Sequence, residues 1–358
     1  VDQSHRYQFF LKANEAWDAV YAACASATTS ISFEHFILRD DAAGGRFIEL
    51  FKRKAKEGVR VRLLLDAIGS AELFQAHLND EFKEAGVELI FFNSIIPLTW
   101  SHYTPWFFRD HRKLIVVDSK QAITGGVCFQ EHMTDWRDTV VVIEGPVVTD
   151  MERSFDYMWT YAEKRGTLPR VREFLDEARR FLFLPSMPWR RRRTLYYELV
   201  ERIEKATRRI WLSTPYFVPD RRLFHALRRA AKRGVAVTLL LPERSDNMLV
   251  DLGTRSNFER TLAAGIRILL YQPHVLHAKT GVIDDWATIG SLNLDHASLQ
   301  YNFEGNLVST EPGFVAALAS HFKNDLKRSN ALTAATWKQR HLSDRFLEWL
   351  VRPIRFVL

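Results

Sequence analysis

The sequence predicts an α/β fold of two similar halves, each a mixed β-sheet flanked by helices, in a pseudo-twofold arrangement that brings residues of both halves to one interface. Two observations carry this. Segments of helical period alternate with short β-rich runs, the pattern of a parallel or mixed sheet covered on both faces. The order of those segments, with one short polar motif inside it, occurs twice in the 358 residues.

Taken in order, residues 11 to 28 have helical spacing, and SISFEHFIL follows with strand character before a break at Gly44 and Gly45. RFIELFKRKAKEG reads as an amphipathic helix closed by Gly58, since glycine enters the left-handed conformation of a helix C-terminus without a Cβ clash. The alternating strand VRVRLLLD comes next, then a helix from about Glu72 to Ala85 ending at Gly86, then VELIFF. An insert rich in Ile, Trp and Phe, NSIIPLTWSHYTPWFFRD, precedes the first polar motif. Two readings of it stand open: a core-packing loop, or an apolar lip that dips into a membrane or grips acyl chains.

The second half repeats the order. YELVERIEKATRRIWLSTPYFVP is helix then strand, RRLFHALRRAAKRGVAVTLLLP is helix, glycine and strand, and FERTLAAGIRILLY is a helix with its glycine turn and strand. LPSMPW at 184–189 and the Arg run after it form the candidate linker. The expected units are therefore 1–184, 185–330 and a tail, 331–358. In that tail Phe346, Leu347, Leu350 and Val351 recur at helical spacing, Trp349 is adjacent, and Pro353 interrupts. Such a face either docks on its own domain or lies on a membrane with Arg345, Arg352 and Arg355 at its rim.

The motif is DHRKLIVVDSKQAITGG in its first copy and HAKTGVIDDWATIGSLN in its second. It supplies the candidate catalytic set His111, Lys113, Asp118, His277, Lys279 and Asp284. On a strand alternate side chains share a face, so His111 pairs with Lys113 and His277 with Lys279. Asp118 and Asp284 fall on the opposite parity, where a carboxylate fixes a turn more naturally than it touches substrate. Two histidines and two lysines around one phosphate suit attack on an anionic phosphodiester. The ammonium groups offset its charge, one imidazole attacks phosphorus, and the other protonates the leaving alkoxide. No Asp/Glu/His cluster has metal-ligand spacing, so neither metal nor cofactor is expected.

Composition limits the partners. The chain is globular at 47% hydrophobic and 26% charged, and its longest apolar stretches, LIVV and VTLLLP, are far short of the roughly 20 residues of a membrane span. The first residues, VDQSHRYQFF, lack an initiating Met and show no basic region followed by an apolar core, which leaves an upstream anchor open. Cys24 and Cys128 are too few for a disulfide framework and predict a reducing compartment. The net charge of +7 is concentrated in the Arg run at 190–193 and around Arg221 to Arg233, which suits a nucleic acid or an anionic membrane surface.

The doubled His-x-Lys-(x)4-Asp followed by Gly-Gly or Gly-Ser resembles the signature of the phospholipase D superfamily. Across residues 10 to 325 the chain most resembles the bacterial cardiolipin synthases, through VVVIEGPVV, RLFHALRRAAKRGV, DDWATIGSLNLD and NFEGN. The resemblance implies a phosphatidyltransferase making cardiolipin from phosphatidylglycerol and a second phospholipid. In it His111 would form a phosphohistidine, His277 would serve as acid and then base, and Lys113 and Lys279 would clamp the phosphoryl oxygens. It further implies that Ser291 and Asn293 donate to phosphate oxygens, with Gly126 and Cys128 at the corresponding places in the first copy. The same 166 residues separate His111 from His277 and Asp138 from Glu304, so these acids are the expected orienting carboxylates.

Without a membrane-spanning segment the chain resembles the peripheral subgroup, expected at the cytoplasmic face of a bacterial membrane with phospholipid substrates and no nucleic acid. A phosphodiesterase hydrolysing phospholipid or nucleic acid is the alternative, and a non-catalytic lipid-binding module a third class that two complete motifs disfavour.

Overall fold

The computed structural model describes residues 5–75, 78–93, 108–164, 179–188 and 193–351. The first half contains β1 (Arg6–Lys12), α1 (Ala13–Ala25), β2 (Ser30–His35), α2 (Gly45–Lys56), β3 (Arg60–Asp66), α3 (Ala71–Gln75), α4 (Leu78–Ala85) and β4 (Glu88–Phe92). After the insert come β5 (Leu114–Val117), β6 (Gln121–Gly125), β7 (Arg137–Glu144) and α5 (Val147–Glu163). The second half begins with β8 (Phe181–Ser186), α6 (Thr194–Lys205), β9 (Arg209–Ser213), α7 (Arg221–Lys232) and β10 (Ala236–Pro242). It continues through α8 (Met248–Arg255), α9 (Phe258–Ala263), β11 (Arg267–Tyr271), β12 (Thr280–Ile283), β13 (Trp286–Gly290), α10 (His296–Gln300), β14 (Glu304–Ser309) and α11 (Pro312–Leu326). Last are β15 (Ser329–Leu332), α12 (Ala334–Lys338) and α13 (Leu342–Val351).

The duplication is complete at the level of topology. One sheet runs β1-β7-β6-β5-β2-β3-β4; the other, read in the same sense, runs β8-β14-β13-β12-β9-β10-β11 and adds β15 at its edge. In each, the last three strands of the shared order are parallel and the remaining pairings antiparallel. Helices explain the parallel part, because a parallel pair needs a crossover, and α2 and α7 supply equivalent ones. Each buries a stripe at helical spacing, Phe47, Ile48, Leu50 and Phe51 in α2 and Leu223, Phe224, Ala226, Leu227 and Ala230 in α7. Asp220 caps α7 by accepting from Leu223 N at 2.8 Å. Gly58 and Gly234 close the two helices at φ +90° and +88°, as the sequence requires.

Each sheet has its own outer core, and the inner faces share a third, in which Met151 and Phe155 of α5 and Phe314 and Leu318 of α11 meet Leu114, Val141, Ile289 and Leu307. The halves are therefore joined through a shared apolar core, and the site between them rests on one continuous body.

Of the helix expected from Glu72 to Ala85, residues 71–75 and 78–85 are helical, α3 and α4, and residues 76–77 lie outside the described residues. The proposed boundary at 184/185 falls inside a strand, because Leu184, Pro185 and Ser186 pair with Asn306, Gly305 and Glu304. The second sheet thus starts at Phe181, and Pro185 is tolerated there because β8 is the edge strand. Most of the aromatic insert, including Trp100, Trp106 and Phe107, lies outside the described residues, as do Arg190–Arg192, Arg352, Pro353 and Arg355. Among the described residues no helix is long and apolar enough to cross a membrane.

Candidate active site

Each His-x-Lys segment is extended but stops just short of its strand, since β5 begins at Leu114 and β12 at Thr280. Its backbone pairs instead with the opposite half. His111 N–H donates to Phe303 O at 3.0 Å and Phe303 N–H to Arg109 O at 2.9 Å. The equivalent exchange has His277 N–H donating to Arg137 O at 2.8 Å and Arg137 N–H to Val275 O at 3.0 Å.

These bridges put each histidine beside the acid of the other half. His111 Nδ1 lies 3.0 and 3.1 Å from the two oxygens of Glu304, and His277 Nδ1 lies 2.9 Å from Asp138 Oδ2. With Nδ1–H donating to a carboxylate, the Nε2 lone pair is the reactive one on each ring. Both histidines line a single cavity of about 390 Å³, together with Cys128, Gln130, Trp136 and Tyr216.

The lysines back this cavity. Lys113 Nζ donates to His111 O at 2.9 Å, and Lys279 Nζ to His277 O at 2.7 Å while lying 2.8 Å from His277 Nε2. Burial lowers Lys279 to about 8, since an ammonium loses its hydration there. Burial also sets the histidines: His111 is held well below the usual imidazole range, with Lys113 and Lys279 adding to the effect. His277 is lowered by burial and Lys279, and its hydrogen bond with Asp138 offsets part of this. Glu304 is pushed up to about 7 by burial, against the pull of Lys113.

The small residues after each motif fit the acids. A Cβ at Gly126 would overlap the Asp138 carboxylate, so only glycine leaves Asp138 its place. In the second half Ser291 stands there and donates from Oγ to Glu304 while accepting from Gly305 N at 3.0 Å. The Ser291 hydroxyl proton is thus directed at the carboxylate. Asn293 does line the cavity.

Asp118 and Asp284 sit away from this chemistry, at the far ends of β5 and β12. Asp118 accepts from Thr28 N, Thr28 Oγ1, Thr29 N and Ser30 N at 2.7 to 2.9 Å, and its φ is +52°. Asp284 repeats this with Thr207, Arg208 and Arg209 at 2.8 to 3.1 Å and φ +48°. Both tie a strand end to the neighbouring strand's start, which corrects their place in the catalytic set and agrees with their parity. Burial acts to raise Asp118, but three backbone N–H groups and the Thr28 hydroxyl outweigh it and hold it down at about 2.

Comparison with known proteins fits this geometry. A family model described as "Cardiolipin synthase, PLD-like domain" matches residues 20–159 and 199–326. The probable cardiolipin synthase YwiE of Bacillus subtilis is 30% identical over 96% of this chain and 70% of its own length. Cardiolipin synthase A of Pseudomonas putida strain F1 is 33% identical over 94% of this chain and 72% of its own. The chain belongs to the cardiolipin synthase family of phospholipase D-like enzymes. The crystal structure of Haemophilus influenzae phosphatidylserine synthase shares the fold, with a TM-score of 0.78 over 98% of this chain and 95% of that one at 13% identity.

In this member of the cardiolipin synthase family the two halves differ behind the histidines. Around His111 lies a buried charged cluster: Arg109 binds Asp66 at 2.7 Å, Asp66 accepts from Asp110 N at 2.9 Å, and Arg112 lies 3.2 Å from Glu34. Burial pushes Asp110 up to about 7 and holds Glu34 well above the usual carboxylate range, with Arg112 opposing both. Val275, Leu276 and Ala278 flank His277 instead. The sequence reading missed this cluster, although Arg112, between His111 and Lys113, was a visible signal. It also missed that each acid crosses to the other half, which no spacing encodes.

Proposed function

We propose that the chain transfers a phosphatidyl group from a donor phospholipid to the glycerol headgroup of phosphatidylglycerol, making cardiolipin through a phosphohistidine. The observation that carries this is the pair of histidines on one cavity, each oriented through Nδ1 by a buried carboxylate from the opposite half. In the first step His111 Nε2 attacks phosphorus, the P–O bond to the donor headgroup breaks, and His277 gives its Nε2 proton to the departing alkoxide. In the second the acceptor hydroxyl loses its proton to His277 as its oxygen attacks phosphorus. The P–N bond then breaks and its electron pair returns to His111. Lys113 and Lys279 offset the charge on the phosphoryl oxygens in both steps.

The division of labour rests on the difference between the rings. His111 is the more strongly held in its neutral form, which suits a nucleophile, whereas Asp138 supports a proton on His277, which suits an acid. Phosphate would draw Lys279 from His277 Nε2 and ease that protonation.

The substrate lies in a bilayer, and we infer a peripheral position on its anionic, cytoplasmic face. Support comes from α13, where Glu348 and Val351 are buried while Phe346 and Trp349 are each 59% exposed and Leu342 77%. This helix packs on α8, whose Met248 is 74% exposed and whose Val250 lines the cavity. An apolar face of this size beside a lipid-consuming site fits an interfacial helix.

The test is to trap the adduct. With a phosphatidyl donor bearing a nitrophenyl leaving group, wild-type protein and His277→Asn should both form an acid-labile phosphoprotein, which the variant fails to pass on. His111→Asn should form none. Labelling retained in His111→Asn and lost in His277→Asn would reverse the roles, and release of phosphatidate without cardiolipin would favour the hydrolase.

A further inference from the structure

Among the described residues, the first half brings Phe36, Ile37, Cys128, Gln130 and Trp136 to the cavity beside His111, and burial raises the Cys128 thiol, so none of these side chains is charged. The aspartates on the same cavity, Asp246 and Asp295, belong to the second half. The uncharged wall reaches both reacting rings. Phe36 packs against His111 with ring centroids 5.1 Å apart, and Trp136 against His277 at 5.3 Å.

Two members of this wall carry polar groups that the phosphoryl chemistry does not use. Gln130 is 6% exposed and Trp136 8%, yet neither the amide of the one nor the indole Nε1–H of the other hydrogen-bonds to any described residue. The buried indole of Trp17, by contrast, donates to Cys128 O at 3.0 Å. Both positions are fixed through the backbone. On either side of Gln130, Phe129 N–H donates to Ile37 O at 3.1 Å and Glu131 N–H to Asp41 Oδ2 at 2.7 Å, while Trp136 N–H donates to Met133 O at 2.8 Å. Buried donors without acceptors are costly, and on a cavity wall they mark where a ligand supplies the acceptors.

The wall itself selects the ligand. Trp136 can only donate and Gln130 donates through Nε2, so together they suit uncharged carbonyl oxygens. The phosphoryl oxygens already have Lys113 and Lys279, and an anion gains nothing from Phe36 and Ile37. The ester carbonyls of a diacylglycerol meet each requirement, since they only accept, carry no charge, and stand at the roots of the acyl chains a few bonds from phosphorus.

We propose that Gln130 and Trp136 form a subsite for the acyl ester carbonyls of the phosphatidyl group, by which the enzyme distinguishes diester from diether phospholipids. This rests on the phosphatidyl-transfer reading and adds which part of the lipid the first half holds. A diether of equal chain length keeps the phosphate and the apolar chains but leaves both donors unpaired.

The experiment gives the full chain, in mixed detergent micelles, a diacyl phosphatidyl donor with a nitrophenyl leaving group or its dialkyl ether analogue of the same chain length, and compares kcat/KM for nitrophenolate release. Wild type should favour the diester about ten-fold or more. Gln130→Met and Trp136→Phe, which keep most of the volume and remove the donors, should each cut that preference about three-fold or more, chiefly through a lower rate on the diester. Gln130→Met decides the matter if Trp136→Phe melts early. A wild type that takes both donors equally, or folded variants that keep the preference, would overturn the subsite. Variants that lose activity equally on both donors would overturn it too, by placing these side chains on the phosphate or the histidines. Release of nitrophenolate from neither donor by wild type would instead overturn the phosphatidyl-transfer reading and the subsite with it, so the two failures are distinguishable.

Discussion

His111 takes its orienting carboxylate from the opposite half: its Nδ1 lies 3.0 Å from Glu304, 193 residues further along the chain. The converse pair, His277 and Asp138, closes at 2.9 Å over 139 residues. Neither half can therefore assemble a working histidine alone. Glu304→Gln keeps the shape but weakens the hold on the imidazole, and should lower kcat by about 10² to 10⁴-fold with an unchanged melting temperature. Asp138→Asn should act mainly on the step that needs a protonated His277, so the loss should be smaller with a donor whose leaving group needs no acid.

The rate should peak in a narrow range of pH. Lys279 titrates at about 8, so its clamp on the phosphoryl oxygens is charged below that pH and fades above it. Glu304, at about 7, is ionised above that pH and loses its hold on His111 below it. A profile of kcat should thus fall on the acid side of 7 and on the alkaline side of 8. In Glu304→Gln the acid limb should no longer break near 7, and a limb that stays there would assign it to another group.

Asp118 and Asp284 should prove structural. Asp118→Ala removes the acceptor of four hydrogen bonds at a left-handed position that Asp tolerates better than Ala, and should cost about 1–3 kcal/mol. Asp118→Asn should cost less, because it keeps one acceptor oxygen. The carboxyl titrates lower in the fold than in the open chain, so its contribution is present above pH 4 and is lost as pH falls through about 2. Chemical denaturation at pH 7 and pH 3 measures this, and turnover per folded molecule should remain within about three-fold of wild type.

Much of this was legible in the residues. The duplicated segments predicted two equivalent sheets, and the parity of Asp118 placed it off the face shared by His111 and Lys113. Local patterns carry such information because strand period and helix period are set within a few residues. What was illegible depends on long-range approach. That Ser291 meets Glu304 was not legible, because the two approach each other outside any local pattern. Leu184 to Ser186 were read as linker because prolines flank an edge strand as readily as a loop. The pairing of Asp66 with Arg109 joins a strand end to the exit of the insert, and sequence spacing does not bring them together.

Chelation should leave turnover unchanged. The charge on the transferring phosphoryl group is assigned to Lys113 and Lys279, and among the described residues no group of three His, Cys, Asp or Glu side chains is placed to hold a metal. Activity measured after dialysis against EDTA should match the untreated protein within error. Loss that a single added cation restores would transfer that role from the lysines to the cation.

Membrane engagement should reside in α13 and the start of α8. Phe346 and Trp349 stack with ring centroids 6.1 Å apart, and Met248 on the neighbouring helix is the most exposed of the large apolar residues on α8. Half-burying each of the three in lipid is worth about 1 kcal/mol, so replacing all three by Ser should weaken binding to phosphatidylglycerol vesicles by about 100-fold. The exposed Arg345 and Lys338 add an attraction to anionic headgroups that salt screens. Wild type should therefore retain part of its vesicle binding in 1 M salt, and the triple variant should lose nearly all of it there. Turnover on vesicles should fall with binding, whereas turnover on a short-chain monomeric donor should change less than about two-fold, because none of the three residues lines the cavity. A folded variant that still binds vesicles in high salt would move the contact elsewhere, to the aromatic insert before His111. A variant that loses both activities together with its melting transition would show that these side chains support α8 and through it the cavity wall at Val250.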